Sequence, residues 1–142
     1  MAQGHGISMM VRAAHVTGDE SYWLAASQAL LPFKKLTVDG GVKNKFMGIY
    51  DWYEEYPFHE GHFVLNGFIY SLIGLYDLSA AEDAPEDISK EATILFDNGI
   101  TSLKALLPLY DAGKGSIYDL RHVVKKKVII ITLAQFFRRC YF

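Results

Sequence analysis

The sequence predicts an all-α fold: an incomplete αα-toroid, or αα-barrel, built from antiparallel helix hairpins. Three observations predict it. Apolar residues recur at helical spacing in four segments, those segments pair across short turns, and a long aromatic-rich connection separates the first pair from the second.

Ile7, Met10, Val11 and Ala14 lie at helical spacing, and Thr17-Gly18 stops that first helix where a C-terminal glycine belongs. Asp19 caps a second helix carrying Tyr22, Trp23, Ala26, Ala29 and Leu30, which is expected to end before Pro32. Residues 36–61 hold Phe46, Ile49, Trp52, Tyr53 and Tyr56 without a sustained helical period, punctuated by Gly40-Gly41, Gly48, Pro57 and Gly61. Their aromatic content argues for an ordered, functional connection. From His62 to Leu78 the chain is apolar nearly all round, which predicts a helix buried on most sides. An acidic loop over 79–87 follows. Asp87 is then read as the cap of a fourth helix with Ile94, Leu95, Leu103, Leu106 and Leu107 inward, ended by Pro108. Four helices cannot close a ring, so the fold reads as cut short.

The domain reading is a partial helical domain over 1–122 and a divergent tail over 123–142. In the tail, Lys125-Lys126-Lys127 precedes the β-branched run Val128-Ile129-Ile130-Ile131, which reads as a strand or an unpaired apolar segment.

The chain has 142 residues, 51% of them hydrophobic and 14% aromatic, which places it in the globular class. A net charge of -2 gives no basic face for nucleic acid. The single cysteine, Cys140, cannot close an internal disulfide. His5 and His15 are too far apart for one helical metal face, and His59 with His62 lacks a third ligand, so no metal is expected. No run is long and apolar enough to span a bilayer, and residues 1–6 lack the features of a signal peptide.

Two clusters carry residues suited to chemistry. In Asp51-Trp52-Tyr53-Glu54-Glu55-Tyr56-Pro57, two adjacent carboxylates among aromatics suit a general base tuned by partial burial. The same string also reads as a capping carboxylate pair beside aromatic packing. In Tyr118-Asp119-Leu120-Arg121-His122, a phenol and a guanidinium suit a substrate carboxylate and a proton moved near it. That string reads more readily as a buried tyrosine hydrogen bond and a surface Asp119–Arg121 ion pair. Asn66-Gly67 precedes an apolar helix, where Asn66 caps or orients a neighbour.

Longer strings carry a resemblance. Met1-Ala2-Gln3-Gly4, Asp51 to Pro57, Phe63-Val64-Leu65-Asn66-Gly67-Phe68 and Tyr70 to Leu78 are similar to the C-terminal region of heparan sulfate D-glucuronyl 5-epimerases. Ser102-Leu103-Lys104-Ala105, Leu107 to Asp111 and Ile117 to His122 extend the resemblance, which covers residues 1–122 in order. It implies conversion of D-glucuronate to L-iduronate within N-sulfated heparosan or heparan sulfate, by removal and return of the C5 proton without a cofactor. By position it implies Glu55 as an acid/base carboxylate, Tyr56 and Tyr118 as active-site tyrosines, Arg121 as a substrate-contacting arginine and Asn66 as a groove residue. It further implies a homodimer and a Golgi-lumen location. The family continues with an Arg-Trp-Asp-Tyr-like string whose tyrosine also transfers a proton, whereas this chain has Phe136 at that count. A fragment or alternative gene product with a foreign tail, and little or no turnover, is therefore expected. The alternatives are a non-catalytic glycan-binding module and a lyase-like enzyme.

Overall fold

A computed structural model describes residues 1–58 and 60–123. The expectations for the tail, Phe136 and Cys140, and for His59, lie outside the described residues.

Helix α1 (Ala2–Thr17) and helix α2 (Ser21–Lys34) form the first hairpin. Gly18, at φ 67°, closes α1 by returning its N–H to the Ala14 carbonyl, and the Asp19 carboxylate accepts the Ser21 N–H at 2.9 Å. α2 does not stop before Pro32 but runs two residues further. A proline in the last turn removes a single intrahelical bond, and the fully buried Phe33 anchors that turn in the core. The Pro32 carbonyl instead accepts the Val42 N–H at 2.8 Å.

The connection is not irregular throughout. After a 3₁₀ turn (Thr37–Asp39), strands β1 (Lys43–Phe46) and β2 (Tyr50–Tyr53) pair antiparallel, so the fold is mostly helical with a small two-stranded sheet rather than all-α. The strands escaped the pattern reading because neither alternates: burial accumulates toward one end of each, at Phe46 and at Trp52 and Tyr53.

Helix α3 (Leu65–Ser79) starts three residues later than its apolar run, and helix α4 (Glu86–Leu106) completes a second hairpin. Pro85 occupies the N-cap of α4, while Glu86 and Asp87 lie in its first turn, where their charge complements the helix dipole. A 3₁₀ turn (Leu107–Tyr110) containing Pro108 then ends the helical run. The expectation that α3 is covered on most sides fails. Phe68, Leu72, Leu75 and Leu78 are buried, but Ile69, Tyr70, Ile73 and Tyr76 are between 38% and 54% exposed.

The hairpins dock through α1 and α3, which run in the same direction: Gly4 meets Tyr70 to Gly74 near the start, and Arg12 pairs with Asp77 at 3.1 Å further along. Their approach is set by two glycines. A Cβ on Gly74 would lie 2.6 Å from the Gly4 Cα, and one on Gly4 would lie 2.8 Å from the Ser71 Cα, so backbone meets backbone. Gly6, one turn-half away, has nothing within 4 Å of its would-be Cβ. Gly74→Ala should accordingly destabilise the chain by about 1–3 kcal/mol through overpacking. Gly6→Ala should stabilise it by roughly 0.5–1 kcal/mol through helix propensity. Urea unfolding of both variants checks this, and equal effects at the two positions would contradict it.

Candidate active site

β2 carries Trp52 and Tyr53 into the core, and the two carboxylates that follow part company. Glu54 turns inward and is 3% exposed, whereas Glu55 is half-buried and Tyr56 is exposed. The Glu54 carboxylate accepts the Phe63 N–H at 3.0 Å and the His62 N–H at 3.3 Å. Burial pushes its pKa up to about 7, outweighing the lowering effect of those two donors.

Glu55 lies over the first turn of α3. A Cβ on Gly67 would come within 2.6 Å of Glu55 Oε2, so the absence of a side chain at Gly67 makes room for the carboxylate. That oxygen is buried and has no hydrogen-bond partner among the described residues. It is a buried acceptor set against the positive end of a helix, within the field of the Met1 ammonium.

Tyr118 arrives from the loop that follows the second 3₁₀ turn. Its carbonyl accepts the Leu65 N–H at 3.1 Å, satisfying one of the orphan donors of α3, whose N-cap residue Val64 has no side chain for the task. The Leu120 N–H donates to the His62 carbonyl at 3.2 Å. These bonds lay residues 118–120 across the start of α3. The Tyr118 side chain is 52% exposed and meets Tyr56. Its phenol is pushed up to about 12, first by hydrogen bonding with Tyr56, then by burial and the negative field of Glu55, Tyr56 and Asp119. Tyr118 thus keeps its proton at neutral pH.

The structure brings Glu55, Tyr56 and Tyr118 together. Arg121 follows closely in sequence, but its guanidinium is engaged with Asp119: Nε and NH2 donate to Asp119 Oδ2 at 2.8 and 2.7 Å. Burial alone would raise the Asp119 carboxyl, but the hydrogen bonds and charge of Arg121 bring it below the usual range. The structural reading of this string is therefore met for the ion pair and not for the tyrosine, which is exposed rather than buried. Asn66 does not cap α3. Val64 holds the N-cap, and Asn66 is exposed inside the first turn, next to Gly67.

Sequence reasoning missed Phe58 and His62 as neighbours of this site. The Tyr56 and Phe58 rings are stacked at 12° with centroids 6.4 Å apart, and His62 lies 5.1 Å from Phe58. They sit in irregular backbone, where no periodicity marks a shared face. Among the described residues, no group of three His, Cys, Asp or Glu is placed to hold a metal ion, and no helix is long and apolar enough to cross a membrane.

The raised Glu54 pKa has a signed consequence. A carboxyl whose folded pKa lies above its ordinary 4.5 contributes stability that is full below 4.5 and is lost as pH rises through about 7. The Tyr110 phenol, pushed above its ordinary range by burial and then by the Glu54 charge, keeps its proton across this window. The urea midpoint of the wild-type chain should fall relative to Glu54→Gln between pH 4.5 and 7 and then run level. A constant gap across that window would contradict the assignment.

Residues 1–137 match the family described as D-glucuronyl C5-epimerase C-terminus. The chain is 55% identical over 130 residues to a D-glucuronyl C5-epimerase of Caenorhabditis elegans, covering 87% of this chain and 21% of that protein. It is 33% identical over 125 residues to an uncharacterised protein of Methanocaldococcus jannaschii, covering 84% of this chain and 38% of that protein. The chain thus spans well under half the length of either relative. Both alignments run through most of the chain that carries the hairpins and the cluster at the start of α3, and on the family match the chain belongs to the D-glucuronyl C5-epimerase C-terminus family.

Proposed function

We propose that this chain carries the proton-transfer surface of a glucuronyl C5-epimerase, acting on D-glucuronate within N-sulfated heparosan or heparan sulfate. The observation that supports it most is the unpartnered, buried Oε2 of Glu55 beside the exposed Tyr56–Tyr118 pair. In this reading Glu55 takes the C5 proton, the electron pair left on C5 delocalises into the sugar carboxylate, and the enolate-like dianion is stabilised by Arg121. Arg121 Nε and NH2 donate to the Asp119 carboxylate, and in this reading the guanidinium turns donors of the same kind to the uronate. Tyr118, protonated at neutral pH, returns a proton to C5, with the Tyr56 hydroxyl nearby. Asn66 lines the approach to this surface.

The same reading makes the paired hairpins part of an αα-toroid, in which the exposed stripe Ile69, Tyr70, Ile73 and Tyr76 is a face for a further element of the ring. It also carries a Golgi-lumen location and a homodimer. Because Phe136 stands where the family has a further tyrosine, turnover is expected to be slow. A second reading, a non-catalytic glycan-binding module, is favoured by the exposed stacked rings of Tyr56 and Phe58, a flat apolar platform of the kind a sugar face covers.

Two measurements test the proposal together. N-sulfated heparosan oligosaccharide should bind saturably, with affinity weakened about tenfold by Arg121→Ala, the loss of one charge-assisted contact. In heavy water, deuterium should appear slowly at C5 and fall about 100-fold or more in Glu55→Gln. Binding with no incorporation would favour the glycan-binding module. Incorporation unchanged in Glu55→Gln would remove Glu55 as the base, and an unsaturated uronate absorbance would indicate elimination instead.

A further inference from the structure

Glu54 is linked by its hydrogen bonds, through the backbone, to the segment that carries Tyr118 and Arg121. The peptide it holds, His62–Phe63, is an unusual one: Phe63 is a non-glycine residue at φ 54°, in the left-handed region that a bulky side chain rarely adopts. Three constraints keep it there. Both oxygens of Glu54 lie at 3.0 and 3.3 Å from the Phe63 N–H, the Tyr110 hydroxyl donates to the Phe63 carbonyl at 2.5 Å, and the ring packs edge-on against Phe46 at 5.0 Å. From this turn the incoming loop is hung. The His62 carbonyl takes the Leu120 N–H, and two residues beyond the turn Leu65 donates to the Tyr118 carbonyl. Leu120 is fully buried, so the loop has an anchor as well as hydrogen bonds.

We infer that Glu54 is a positioning residue for Tyr118 and Arg121: its carboxylate fixes the His62–Phe63 turn, and that turn sets where residues 118–121 stand relative to Glu55. Glu55 is the next residue in the chain, so one short segment supplies both the candidate base and the clamp that locates the groups opposite it. A carboxylate suits the task because two acceptor oxygens can converge on two adjacent N–H groups. Glutamine has one acceptor oxygen and would turn an NH2 toward a donor. The bearing of this clamp on chemistry rests on the epimerase reading, but the positioning itself needs no substrate.

Amide hydrogen exchange of the whole chain above pH 7, where Glu54 is ionised, followed residue by residue, separates positioning from a general contribution to the core. In Glu54→Gln the Leu65 and Leu120 amides, whose acceptors are the Tyr118 and His62 carbonyls, should exchange at least about tenfold faster. Leu30, Leu75 and Leu95, in α2, α3 and α4, should keep their wild-type rates. Unchanged rates at Leu65 and Leu120, or the same acceleration at all five amides, would overturn the inference. Should Glu54→Gln fail to fold, Tyr110→Phe releases the same turn from its other side. It is expected to accelerate the same two amides alone, with the same overturning results. No sugar enters either measurement, so failure of the epimerase reading and failure of the clamp are seen separately.

Discussion

The placement of the site depends on how the Trp52 indole is held. Its ring lies between Phe68 of α3, at 3.7 Å and 15°, and Tyr110 of the second 3₁₀ turn, at 5.8 Å and 14°, with the Phe63 edge against it at 6.2 Å. One side chain thereby joins the sheet, the second hairpin, the strained turn and the end of the helical run. Rings of this size dominate a core through buried area, with each favourable pair adding about 0.5–1.5 kcal/mol beyond it. Trp52 Nε1 is buried with no partner among the described residues, so its shape outweighs the cost of an unmet donor.

Everything exposed at the site is a short distance along the chain from this stack. Two residues after Trp52 comes Glu54, directed inward, and the next residue, Glu55, is directed to the start of α3. Gly67, one residue before the stacked Phe68, leaves the space that Glu55 fills. Tyr110 anchors the far end of α4 and thereby starts the loop that returns with Tyr118 and Arg121. The α1–α3 contact through Gly4 and Gly74 holds the other side of α3, so the helix that receives the site is fixed on both flanks. The exposed residues are consequently presented by a rigid core rather than by the loops that bear them.

Much of this was legible in the sequence. The helices were visible because their apolar positions repeat at 3–4 residues, and Gly18, the 79–87 loop and Pro108 punctuate them as propensity requires. The quoted strings around Glu55, Tyr118 and Arg121 pointed by resemblance to the residues proposed for the site. The hairpin was not legible, since Lys43–Phe46 and Tyr50–Tyr53 bury residues toward one end instead of alternating. Nor was the inward turn of Glu54, held by the N–H groups of His62 and a left-handed Phe63, or the bond from Leu65 to a Tyr118 carbonyl 53 residues away. Long-range backbone bonds leave no periodic trace in sequence. The exposed stripe on α3 was misjudged for a related reason: an apolar surface states that it seeks cover, not what covers it.

The central claim is that one surface at the start of α3, made by residues 55–56 and 118–121, receives a uronate. Backbone amide chemical shifts during titration with N-sulfated heparosan tetrasaccharide test it most directly. The account predicts saturable changes concentrated at Glu55, Tyr56, Gly67, Tyr118 and Arg121, with α2 and the α3–α4 loop silent. Changes centred elsewhere, or a flat titration of the folded chain, would contradict it.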